Sequence, residues 1–114
     1  MAVLLFVSVF VVLPNPSISN QADVTLSLDQ NFPNPFTGST TISYTLPEPG
    51  HVSINLYNLL GEQMQNLVEL DQGTGQHSFR FDAGNLPSGQ YTYRMIFTGS
   101  ISVTKISRKM YLIK

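Results

Sequence analysis

The stretch Thr41-Ile42-Ser43-Tyr44-Thr45-Leu46-Pro47-Glu48-Pro49-Gly50-His51-Val52-Ser53-Ile54-Asn55-Leu56-Tyr57 decides the fold. Ile42, Tyr44 and Leu46 alternate with Thr41, Ser43 and Thr45, and Val52, Ile54 and Leu56 alternate with Ser53, Asn55 and Tyr57. A period of two puts one face of each segment on a core and the other in water, which is the pattern of antiparallel strands. Glu48-Pro49-Gly50-His51 between them suits a type II turn, with Pro at its second position and Gly50 where φ must be positive. The expectation is a hairpin joining 40–46 to 51–57.

The same period continues on both sides. Val24, Leu26 and Leu28 alternate with Thr25 and Ser27, and His77, Phe79 and Phe81 alternate with Ser78, Arg80 and Asp82. Tyr91, Tyr93, Met95 and Phe97 alternate with Thr92, Arg94 and Ile96. Asn58-Leu59-Leu60-Gly61 reads as a tight connection whose Gly61 takes a left-handed conformation, and Thr98-Gly99-Ser100 closes a hairpin onto the final strand. Within that last region, Ile101 to Ile113, the alternation breaks, so a bulge or kink is expected near Ile106 to Lys109. Residues 59–70 (LLGEQMQNLVEL) carry Leu60, Met64, Leu67 and Leu70 near one helical face. Gly61 and the flanking hairpins favour a strand there instead.

About seven short strands with no other helical segment indicate an all-β fold, an Ig-like antiparallel β-sandwich. Tyr91 follows the corner Gly84-Asn85-Leu86-Pro87-Ser88-Gly89. That is the place of a tyrosine corner, whose hydroxyl bonds back to the backbone a few residues upstream.

Composition narrows the function. The 114 residues make one domain. The net charge of −1 offers nothing to a polyelectrolyte, so no nucleic-acid partner is expected. Charged residues are 11% of the chain, against about 25% in typical domains. Cysteine is absent, which removes disulfides, thiolate metal sites and a thiol nucleophile. All six basic residues lie between Arg80 and Lys114, and Lys105, Arg108, Lys109 and Lys114 crowd the last ten positions.

Ala2 to Leu13 (AVLLFVSVFVVL) is apolar apart from Ser8. As a helix it would span about 18 Å, short of a hydrocarbon core of roughly 30 Å. It matches the apolar region of a secretory signal, although no Lys or Arg precedes it. Pro14-Asn15-Pro16 ends the run, and Ser17-Ile18-Ser19 supplies small residues for cleavage after Ser19. The expected organisation is a signal peptide at 1–19, a short lead-in at 20–30 and a folded domain at 31–114.

Catalytic chemistry is not expected. His51 and His77 are the two histidines, the first beside a turn glycine and the second opening a strand. No metal-binding histidine motif, paired Asp motif or glycine-rich phosphate loop is present. Asp71 and Asp82 read as turn residues that cap their own backbone. No cofactor, metal or small-molecule substrate is expected, and the chain is expected to be a monomer. Tyr57 and Tyr111 are too isolated for a stacking platform, although a carbohydrate-binding module stays open.

Asn31-Phe32-Pro33-Asn34-Pro35-Phe36 is distinctive. Two X-Pro steps favour an extended path and remove two backbone donors, so the segment should follow a sheet edge or corner. Phe32 and Phe36 can then plug apolar gaps at either end.

With Ser39-Thr40-Thr41-Ile42-Ser43-Tyr44, Leu46-Pro47, Gly50-His51-Val52, Leu56-Tyr57-Asn58-Leu59-Leu60-Gly61, Leu86-Pro87-Ser88-Gly89-Gln90-Tyr91 and Lys109-Met110-Tyr111-Leu112-Ile113-Lys114, this segment forms an ordered set. Over residues 26–114 the set resembles the type A C-terminal sorting domain of the type IX (Por) secretion system of Bacteroidota. It is also similar to the Ig-like domain of flagellar-hook capping proteins. The resemblance implies a secretion address: a non-catalytic domain that sends its protein through the periplasm to the cell surface or medium. Its implied partners are the outer-membrane translocon and a sortase-like peptidase that removes the domain. Carried over by position, the recognition residues are Pro33, Asn34, Pro35, Phe36, Gly89, Tyr91, Lys109 and Lys114, with Gly50, Gly61 and Tyr91 structural. A basic final strand with a free edge could add to a partner's sheet.

The chain departs from the family in two places. The lead-in at 20–30 leaves essentially no room for a passenger, as expected of a fragment, a truncated frame or a stand-alone module. Thr98 to Arg108 is longer than the family's last hairpin. The competing reading is a structural or adhesive Ig-like module, hook-capping-like or carbohydrate-binding, that stays in the mature protein.

Overall fold

Alternation becomes strands in the computed structural model, which describes residues 25–114. The expected signal peptide and residues 20–24 of the lead-in lie outside the described residues. The seven strands are β1 (Ser27–Leu28), β2 (Ser39–Leu46), β3 (Gly50–Tyr57), β4 (Gln63–Gln72), β5 (Gly75–Asp82), β6 (Gly89–Thr98) and β7 (Val103–Leu112). They form two antiparallel sheets, β1-β2-β5 and β4-β3-β6-β7, in an Ig-like sandwich. The alternating apolar residues meet in one core: Ile42, Tyr44 and Leu46 from β2, Val52, Ile54 and Leu56 from β3, and Tyr91, Tyr93, Met95 and Phe97 from β6. Burying each such side chain stabilises the fold by about 1.5–3 kcal/mol.

The connection at 47–49 is not a hairpin. β2 pairs with β1 and β5, whereas β3 pairs with β4 and β6, so the chain crosses here from one sheet to the other. Gly50 is not among the glycines with positive φ. It opens β3 under a neighbouring strand, where an added Cβ would lie 2.5 Å from the Thr98 carbonyl oxygen and 2.7 Å from the Phe97 ring. Close approach, not turn conformation, requires glycine. Gly61, in the β3–β4 turn, does have φ +84°.

Residues 63–72 form a strand, and its helix-like spacing has a mechanical cause. The β3–β4 register shifts between Ile54 and Asn55 and again between Leu56 and Tyr57, leaving Leu67 and Met64 as the extra residues. Two bulges break the period of two and leave Met64, Leu67 and Leu70 three apart, while Leu60 lies outside the strand in the β3–β4 turn. No such irregularity occurs in β7, contrary to expectation. Its ten residues pair with β6 without a shift. The inward phase is Thr104, Ile106, Arg108, Met110 and Leu112, of which Met110 and Leu112 are buried. Arg108 interrupts the apolar pattern because it sits at the seam between the sheets, where its Nε donates to the Leu28 carbonyl at 2.7 Å. Asp71 and Asp82 are strand residues; they meet His51 and Arg80 rather than capping turns.

Two tyrosines bond across the sandwich. The Tyr93 hydroxyl donates to the Asp29 carbonyl at 2.6 Å, and burial pushes its pKa up to about 12. The Tyr44 hydroxyl donates to Gln72 of the opposite sheet, and burial raises its pKa as well.

Candidate functional site

The proline segment does not run straight. The chain bends at residues 33–35 between two isolated bridges, Phe32 with Thr41 and Phe36 with Leu112, and the peptide bonds before Pro33 and Pro35 are cis. Its two phenylalanines part company. Phe36 is buried and meets Phe81 edge-on at 6.2 Å, whereas Phe32 is 78% exposed and plugs no gap. Asn31 holds the bend from inside. Its side chain is 2% exposed and donates to the Pro33 carbonyl at 3.1 Å and to the Thr40 hydroxyl at 3.0 Å. Thr40 in turn donates to the Pro33 carbonyl at 2.8 Å. A buried amide needs such partners. Asn31, Thr40 and Gln30 are site residues that sequence reasoning missed; polar residues flanking two donor-less prolines are the signal that was there to read.

The segment closes half of an edge. Phe36 donates its N–H to the Tyr111 carbonyl and accepts the N–H of Ile113, both at 2.9 Å. Asn34 Oδ1 accepts the Tyr111 N–H at 2.9 Å, and Gln30 Nε2 donates to the Lys109 carbonyl at 2.6 Å. The outward backbone groups of the last strand from Lys109 O to Ile113 N are therefore satisfied by residues 30–36. Contrary to the free edge expected from the sequence, the terminal strand is closed along that length.

The end of the chain continues to the 84–91 corner. The Lys114 N–H donates to Ser88 Oγ and its ammonium to the Gly84 carbonyl, each at 2.9 Å. The Tyr91 hydroxyl donates to the Pro87 carbonyl at 2.6 Å, forming the tyrosine corner. Gly89 has φ +155°, a conformation L residues avoid, and pairs with Leu112. Thus Asn34, Phe36, Gly89, Tyr91 and Lys114 gather at one end of the sandwich. Pro33 and Pro35 lie in the same loop. Lys109 lies farther down β7, opposite Thr92, and Gly50 stands at the other end.

Beside the corner the β3–β4 turn presents Leu59 and Leu60, 72% and 82% exposed. Asn58 fixes this tip: its Oδ1 accepts the N–H groups of Leu60 at 2.9 Å and Glu62 at 3.0 Å. Leu59 and Leu60 help line a shallow concavity of about 240 Å³ whose other wall includes Gly89, Gln90 and Tyr91. A second shallow concavity, about 500 Å³, lies at the opposite end against Pro49, His51 and Asp71. There His51 Nδ1 meets Asp71 at 2.8 Å and Nε2 meets Glu69 at 2.5 Å. The two carboxylates occupy different ring nitrogens, and both hydrogen bonds hold the His51 pKa above 6.5. Among the described residues no group of three or more His, Cys, Asp or Glu could hold a metal ion.

Comparison with known proteins agrees with this architecture. Residues 30–109 match the model of a protein family described as a secretion system C-terminal sorting domain, Por_Secre_tail. The chain is similar to the crystal structure of dimeric latent PorU from Porphyromonas gingivalis, with 18% identity and a TM-score of 0.62. That likeness covers 78% of this chain and 9% of PorU, so the chain spans about a tenth of the protein it resembles. No curated protein matches the chain.

Proposed function

Given that the chain belongs to the Por secretion C-terminal sorting domain family, we propose that its sorting signal is presented by the end of the sandwich where the proline segment, the Tyr91 corner and the chain terminus meet. The domain is a sorting and export signal of the type IX secretion system and marks its protein for the cell surface or the medium. The readers, in this proposal, are the outer-membrane translocon and its sortase-like peptidase, the latter removing the domain after passage.

One observation supports this reading above the others. Residues 34, 36, 89, 91 and 114, far apart in sequence, are bonded or packed together at one end, with Phe36 and Tyr91 buried beneath a surface that includes Asn34, Gly89 and Lys114. Leu59 and Leu60 stand exposed beside it at an energetic cost that folding alone does not require. A surface built from both ends of the domain is complete only after the whole domain has folded, so it can report folding to the export machinery. The test is a double variant, Leu59→Ser with Leu60→Ser. Both side chains are exposed, so stability should change by no more than about 0.5 kcal/mol. The expected result is a folded chain retained in the periplasm; normal export of that variant would refute the placement of the signal.

A further inference from the structure

The last strand is half closed and half open. In an antiparallel pair the N–H and C=O of one residue point to the same side, so alternate residues of β7 face away from β6. Tyr111 is one of these, because Asn34 and Phe36 take its outward groups. Counting back by two identifies Val103, Lys105, Ser107 and Lys109 as the others. β7 is last in its sheet, so from Val103 to the Lys109 N–H no strand pairs with these groups among the described residues, although β1 packs near β7 at the sheet seam. The donors and acceptors recur about every 6.8 Å along the strand.

This window differs from the other edges. β4 is broken by two register shifts, which blunt an edge. On β5 the single cation, Arg80, is paired with Asp82 at 3.1 Å. On β7 the register is unbroken, and Lys105 and Lys109 are exposed. The ion pairs of the described residues use His51 and Arg80 and leave both lysines without a carboxylate. Arg94 on β6 adds a third cation alongside, its Nε donating to Ser107 Oγ at 3.2 Å. Ile101 and Val103, 92% and 59% exposed, mark the open end.

We propose that Val103–Lys109 is a strand-addition site for an extended, acidic segment of a partner protein, which pairs with the open edge and sets carboxylates against Lys105 and Lys109. For its cellular setting this rests on the sorting reading above. Charge chooses the occupant. The same edge of a second copy would bring lysines against lysines, which repels.

The probe is an extended hexapeptide alternating valine and glutamate, with a valine–lysine peptide as control, added to the full chain. The acidic peptide should bind at least tenfold more tightly and slow hydrogen exchange at the Lys105 and Ser107 amides. Ser107→Pro should abolish binding without unfolding the sheet, because the Ser107 N–H points away from β6. Lys105→Glu with Lys109→Glu should invert the preference. Equal binding of both peptides, or protection confined to β4 or β5, overturns the proposal. So does protection already present in the chain alone that vanishes on dilution, assigning the edge to a second copy, or on removal of residues 1–24, assigning it to the chain itself. In exporting cells, Ser107→Pro should block export. If it is exported normally while the Leu59/Leu60 variant is retained, strand addition falls and the placement of the signal stands; if both are exported, strand addition and that placement both fall.

Discussion

The side-chain oxygen of Asn34 accepts the backbone N–H of Tyr111 at 2.9 Å, tying the proline segment to a strand 77 residues later. Replacing Asn34 with Ala leaves that N–H without its partner. A hydrogen bond of this kind contributes about 0.5–1.5 kcal/mol. Asn34→Ala should lower stability by about that amount and accelerate hydrogen exchange at Tyr111, while Asn34→Asp, which keeps the acceptor, should not accelerate it.

The two phenylalanines of one six-residue motif should behave oppositely. Phe36 is 2% exposed against Phe81, so Phe36→Ala should cost about 3–5 kcal/mol. Phe32 is 78% exposed, and Phe32→Ala should stay within about 0.5 kcal/mol. Urea midpoints of the two variants check this, and equal losses would contradict it.

Gly50 and Gly73 make a matched pair. A Cβ at Gly50 meets backbone oxygen at 2.5 Å, whereas one at Gly73 meets nothing within 4 Å. Gly50→Ala should therefore destabilise by about 1–3 kcal/mol. Gly73→Ala should be close to neutral. Thermal melts of both variants are sufficient.

How much of this was legible in the sequence depends on what each residue faces. Strands whose alternate positions are uniformly apolar, such as Tyr91 to Phe97, were readable because the core sees them directly. The phase of β7 was not, because Arg108 occupies an inward position at the sheet seam and bonds a carbonyl 80 residues away. Nor was the crossover at 47–49: Pro49-Gly50 looks the same whether glycine serves a turn or a close approach, and only the Thr98 carbonyl distinguishes them. In the site, the motif residues could be named, but their gathering at one end is a property of topology. Asn31 and Thr40 stood in the quoted motifs without a role, because that role is to satisfy the Pro33 carbonyl inside the bend.

His51 gives a pH dependence with a definite sign. Its bonds to Glu69 and Asp71 raise its pKa above 6.5 in the folded chain. The stabilisation is fully present below the unfolded value and is lost as pH rises through the raised folded value. Glu69 is shifted downward by the same contact, so its share is present above 4.5 and is lost as pH falls through its lowered folded value. The Tm difference between the parent and His51→Gln should be largest between about pH 5 and 6 and shrink above neutrality. An NMR titration placing the His51 pKa below 6.5 would contradict the account.

The most direct measurement of the central claim places a reporter carrying an inner-membrane export signal ahead of residues 25–114 in a host with the type IX machinery. Reporter with the domain should appear on the cell surface or in the medium, and reporter without it should remain in the periplasm. Identical distribution of the two proteins would show that this β-sandwich is not a sorting signal.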